Sequence, residues 1–128
     1  MKKIHLVCLS LVMTSCYHVE RNCTDYKTGE FKFYYSVGGE QKEGRFIRTN
    51  ALNIDFYDGK IDSASVRWIN DCEFILKKLS PQNKQDEKAI HMKILSTTDS
   101  SYVFEYKLAV KPINKAHNVE KGIAYKIN

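Results

Sequence analysis

The chain lacks an apolar run of bilayer-spanning length: the one at its start, 4–13, is too short for a transmembrane helix and is interrupted by His5 and Ser10. It also lacks a basic tract. The longest basic dipeptide after Lys2-Lys3 is Lys77-Lys78, so the electrostatic footprint of a nucleic-acid binder is missing. No HExxH, CxxC, His-x-His, GxSxG or glycine-rich phosphate loop occurs. The histidines beyond His5, namely His18, His91 and His117, are far apart in sequence. These absences leave no catalytic residue, metal ligand or cofactor to assign. At 128 residues the chain holds one domain, not two.

What is present begins at the N-terminus. Met1-Lys2-Lys3 is a basic start, the apolar run follows, and small residues Thr14 and Ser15 come next. That is the layout of a secretory signal over 1–15, expected as a helix until it is removed. Met13-Thr14-Ser15-Cys16 resembles the lipobox of bacterial lipoproteins, with two small residues ahead of a cysteine. The chemistry needs a thiol there to form a thioether to diacylglycerol, and small neighbours so that a peptidase reaches the backbone. The resemblance implies lipidation at Cys16 and a membrane as partner, held stably by more than one acyl chain. Tyr17 stands where an Asp would be expected for inner-membrane retention, which points to the outer membrane. Loss of Lys2 and Lys3 takes the formal charge from +5 to +3, an ordinary solubility feature.

Of the four cysteines, Cys8 leaves with the leader and Cys16 takes lipid. Cys23 and Cys72 remain as a pair in an oxidising compartment, and the expectation is a disulfide between them. The alternatives are two free buried thiols or half of a metal site.

Residues 16–28 are polar and patternless and read as a tether, followed by a single domain over 29–128. From Glu30 the chain alternates apolar and polar residues almost without pause. Phe31, Phe33 and Tyr35 form one such set; Leu52, Ile54 and Phe56 another; then Ala64, Val66 and Trp68; Phe74 and Leu76; Ile90, Met92 and Ile94; Tyr102, Phe104 and Tyr106; and Ile123, Tyr125 and Ile127. In 43–48 the adjacent Phe46 and Ile47 leave the facing open. Gly38-Gly39 and Asp58-Gly59 are hairpin signals, while 80–88 and 112–121 are polar loops. The expected fold is all-β: an antiparallel meander of about eight strands, closed as a lipocalin-like up-and-down barrel. A two-sheet sandwich is the alternative. Strands this short, sending so many aromatic residues inward, predict a barrel packed solid rather than hollow.

Asp55, Asp58 and Asp62 flank a hairpin turn without EF-hand spacing, so they are expected on a polar outer face. His91 is expected on the outer face of a strand, in solvent. Arg67-Trp68 precedes Asn70-Asp71-Cys72-Glu73. The structural reading puts Trp68 in the core, makes Asn70-Asp71 a turn, and has Cys72 staple that corner to the N-terminus. A functional reading makes Arg67 an exposed ligand contact.

Arg21-Asn22-Cys23, 27–31, 67–73 and 89–94 together resemble a family of short, uncharacterised bacterial lipoproteins, across nearly the whole chain. Its members are sometimes labelled DNA topoisomerase IV. That activity needs a nucleophilic tyrosine within a large multidomain machine, which one small exported domain does not supply, and the resemblance implies no catalytic residue. The expectation is a non-enzymatic envelope lipoprotein with a binding or structural role. The alternative is a lipocalin-like carrier of a small apolar ligand. An envelope protein or such a ligand would be the partner, and nucleic acid would not.

Overall fold

A computed structural model describes residues 21–128. The leader and its expected helix, Cys8, Cys16 and His18 lie outside the described residues. Eight antiparallel strands run in chain order: β1 (Gly29–Val37), β2 (Glu40–Arg48), β3 (Leu52–Tyr57), β4 (Lys60–Trp68), β5 (Glu73–Lys78), β6 (Ile90–Thr97), β7 (Ser101–Leu108) and β8 (Glu120–Lys126). Each pairs with the next, and β8 returns to β1 through Phe31 opposite Lys126, so the sheet closes as an up-and-down barrel. Closure removes the unpaired edges that a meander of short strands would expose.

The up-and-down order gives the barrel two different ends. Short turns at 49–51, 69–72 and 98–100 gather at one end. Their side chains hold them: Asn70 Oδ1 accepts from the Cys72 amide at 2.9 Å, and Thr98 Oγ1 accepts from the Ser101 amide at 3.0 Å. The other end carries the Gly38-Gly39 and Asp58-Gly59 hairpins and the longer loops 79–89 and 109–119. Both glycine pairs turn at positive φ, where Gly38, Gly39 and Gly59 carry no Cβ to clash.

The first end is closed by residues expected to be tether. A 3-10 turn at Cys23–Tyr26 buries both of its end residues. Tyr26 is 2 % exposed and donates from its hydroxyl to the Thr98 carbonyl at 2.5 Å. Cys23 forms the disulfide with Cys72, at a Cα separation of 5.2 Å. The folded unit therefore starts ahead of residue 29. The reason is that the barrel's short-turn end needs an apolar lid, and the polar sequence around Tyr26 conceals one.

The core lies against this plug. Phe31, Ile94 and Ala124 are fully buried, Tyr102 nearly so, and Phe31 stacks on Phe46 at 4.8 Å between ring centroids. Trp68 packs on Phe74 at 4.4 Å, next to the disulfide corner as expected.

Two strands, β3 and β8, face opposite to expectation. In β2, whose facing the sequence left open, Phe46 and Arg48 are buried while Ile47 is outside. The β2–β3 register pairs Arg48 with Asn53 and Phe46 with Asp55, which forces Asn53, Asp55 and Tyr57 inward. Ile54 then pairs with Ile47 on the outer surface, and Phe56 lies exposed opposite Ile61. In β8, Gly122 and Ala124 face inward while Ile123 and Ile127 are exposed. Bulky neighbours explain this second inversion. A Cβ on Gly122 would fall 2.6 Å from Phe104 Cζ, and one on Gly44 would fall 2.3 Å from Phe33 Cζ. Phe104 and Phe33 fill the space over these glycines across the strand pair, so only glycine fits beneath them.

Candidate functional site, a cavity with a buried arginine at its floor

The barrel is packed solid only at its plugged end. Toward the loops at 79–89 and 109–119 it holds an open cavity of about 360 Å³. That volume lies in the usual range of small-molecule sites. The expectation of a filled barrel fails because aromatic residues of β1, β2 and β7 stack on one another near the plug. Farther up, the polar side chains that β3 turns inward leave space unfilled.

Arg48, Asn53, Phe46 and Tyr102 form the lower part of the cavity. Phe33, Phe104, Leu76 and Met92 wall it, Asp55 stands between, and Tyr35 and Tyr57 mark the rim. The lining is thus an apolar chamber with one polar stripe along β3 that begins at Arg48.

Arg48 is the last residue of β2 and is 2 % exposed. Its Nε donates to the Lys27 carbonyl at 3.3 Å, and its Nη2 donates to the Tyr26 carbonyl at 2.7 Å and to Tyr102 Oη at 3.0 Å. Phe74, Phe31, Phe46, Tyr102 and Trp68 surround the guanidinium, at 4.7 Å for the nearest ring and 5.8 Å for the farthest. Backbone dipoles and ring faces offset part of its desolvation. Among the described residues no carboxylate forms an ion pair with it.

Asp55 accepts at Oδ1 from Asn53 Nδ2 at 2.9 Å. Burial raises its pKa to about 6, with Asp62 adding to the rise and the Asn53 bond, Arg48 and Lys78 opposing it. Burial likewise raises the Tyr102 phenol, which stays a proton donor at neutral pH. Nearer the mouth, the Tyr57 hydroxyl donates to Asp62 Oδ2 at 3.1 Å, and Lys78 Nζ bridges Asp86 at 3.3 Å and Asp62 at 3.9 Å. These bonds tie loop 79–89 to the rim.

The residues singled out in the sequence are distributed unevenly over this site. Asp55, expected outside, is inside it. Asp62 is at its mouth, whereas Asp58 is a turn residue with φ of 50°. His91 faces outward but is not free in solvent: its side chain is 17 % exposed and its Nε2 lies 3.1 Å from Glu73 Oε1. His117 bonds through Nε2 to the Leu108 carbonyl at 2.7 Å in a loop, away from the cavity lining. Arg67 projects outward beside Ile75 and touches neither cavity nor core. Sequence reasoning missed Arg48, Asn53 and Tyr57. Among the described residues no group of three or more His, Cys, Asp or Glu could hold a metal ion, and no helix is long and apolar enough to cross a membrane.

No protein-family model, no curated protein and no solved structure matches the chain.

Proposed function

We propose that this protein is a non-enzymatic binding protein of the bacterial cell envelope, anchored by lipid on Cys16, whose barrel takes a small, mainly apolar ligand through its open end. The cavity of about 360 Å³, walled by Phe33, Phe104, Leu76 and Met92, carries this reading. A chamber of that size and lining, open at one end and stapled at the other, suits a carrier better than a purely structural module.

The anchor fits the same geometry. Arg21 is fixed at the plugged end, where its Nη2 donates to the Ile94 carbonyl at 3.0 Å. Cys16 precedes it by five residues. A fully extended span of that length reaches at most about 17 Å. Lipid on Cys16 would therefore hold the plugged end near the membrane, with the mouth directed away. The Cys23–Cys72 bridge suits an oxidising envelope compartment, and Tyr17 favours the outer membrane.

Mass spectrometry of the membrane fraction tests both halves. The expected result is a chain beginning at a lipidated Cys16, together with a small apolar molecule released on denaturation. The Met92→Trp variant, which fills the chamber, should lose that molecule and keep its lipid. An unprocessed, unmodified chain in the cytosol would overturn the anchor. A Met92→Trp variant that retains the same small molecule would overturn the cavity as its site.

A further inference from the structure

Resting on the carrier reading above, we propose that the ligand is an amphiphile with a single carboxylate, received head first at the cavity floor by Arg48 and Tyr102. The floor presents a cation that, among the described residues, makes no ion pair. Arg48 brings a permanent charge into a site 2 % exposed to solvent. Among the described residues its hydrogen bonds use Nε and Nη2 only, and all three acceptors are neutral. Clamping the plug explains that edge of the guanidinium. It does not explain the other edge. Among the described residues Nη1 makes no hydrogen bond, yet it is not one of their sealed, partnerless polar atoms, which are Trp68 Nε1 and His91 Nδ1. Arg48 lines the cavity, so this uncommitted edge is the one that an incoming group can reach.

Tyr102 completes the receptor. Its oxygen accepts from Arg48, which leaves its own proton to donate, and it too lines the cavity. An ionised carboxylate accepts from both groups at once, through charge-assisted bonds in a low-dielectric site. Above the floor, Phe33, Leu76, Met92 and Phe104 offer apolar contact, which suits an alkyl chain of medium length.

Asp55 selects among anions. The groups that act on it are Arg48 from β2, Asp62 from β4, Lys78 from β5 and Asn53 on its own strand, with Tyr102 of β7 also within its field. Its carboxyl titrates near pH 6, and an anion arriving at Arg48 favours the protonated form further. Binding of a carboxylate is therefore linked to proton uptake at Asp55. A dianionic phosphate head is disfavoured by the same acid. A cationic head is disfavoured by Arg48 below it.

The test is calorimetric titration of the full chain, carrying Cys16→Ser to keep it unlipidated, with decanoate, decanol and decylamine as matched probes below their aggregation limits. Decanoate should bind at least about tenfold tighter than either of the others at pH 6. Its affinity should weaken several-fold between pH 6 and pH 8 and should stay flat in Asp55→Asn. Arg48→Met should remove the preference for decanoate while decanol still binds. Should that variant not fold, Tyr102→Phe provides the milder test, with several-fold loss for decanoate alone. Equal binding of the three probes, or preference for decylamine, would overturn the carboxylate proposal and leave the apolar-carrier reading standing. Failure of all three to bind would overturn both.

Discussion

Arg48 and Tyr26 lie 22 residues apart and are joined by a 2.7 Å hydrogen bond from Nη2 of the arginine to the tyrosine carbonyl. This bond ties the end of β2 to the plug, and the same guanidinium reaches Tyr102 on β7. One side chain thus closes the barrel and forms the floor of the cavity above. The plug belongs to the folded unit on energetic grounds. A chain beginning at Gly29 would lose the disulfide, the Tyr26 ring and both carbonyls that receive Arg48. It should be destabilised by more than about 5 kcal/mol. The reference is a chain beginning at Arg21, which keeps the disulfide and the Tyr26 plug. Thermal melts followed by circular dichroism compare the two.

Reduction of Cys23–Cys72 releases a loop with a sequence separation of 49. Chain-entropy arithmetic for a loop of that size gives about 4 kcal/mol. Denaturant titration with and without reductant should show a loss of that order. Hydrogen exchange should rise first at 23–26, because the bridge holds the plug against the corner at Cys72.

Gly44 and Phe33 form a cross-strand pair in which the ring occupies the place of a Cβ. Gly44→Ala should cost about 2 kcal/mol through overpacking. The ring has room to move only into the cavity it lines, so the same variant should weaken binding of an apolar probe. Phe33→Leu combined with Gly44→Ala should recover part of the lost stability, since the two effects share one contact.

Asp55 has a folded-state pKa of about 6 against an ordinary value of 3.8. The native state therefore holds a proton that the unfolded chain has already released between those values. This contribution to stability falls as pH rises from about 4 to 6, and the cost is fully present above that. Asp55→Asn should be more stable than the native protein at pH 7–8 by about 3 kcal/mol, and equal to it near pH 4. Melting temperatures of both proteins across that range decide the sign.

The number of strands was legible because alternation and hairpin glycines are local signals. Asp58-Gly59 marks its turn directly, and β4 to β7 face as their apolar residues suggest. The Cys23–Cys72 pair was legible because the expected assignment of Cys8 to a leader and Cys16 to a lipobox leaves these two thiols to bridge. The site was much less legible. Leu52, Ile54 and Phe56 read as a core face, yet β3 turns Asn53, Asp55 and Tyr57 inward. Alternation states that two faces differ but not which one is enclosed, and a shift of one residue exchanges them. In β3 that choice was made by its neighbour, through the pairing of Arg48 with Asn53.

The sequence by itself determined the strands, their antiparallel order and the cysteine pair that forms the bridge. Each rests on residues close together in the chain or on a simple count. Only the tertiary structure decided that Tyr26 is a plug, that Arg48 is buried with no ion-pair partner among the described residues, and that the barrel is full at one end and hollow at the other. Those outcomes depend on side chains from strands distant in sequence competing for one enclosed volume. Closure sets that volume, and the bulk of Phe33, Phe104 and their neighbours, placed over glycine, decides how much of it is left.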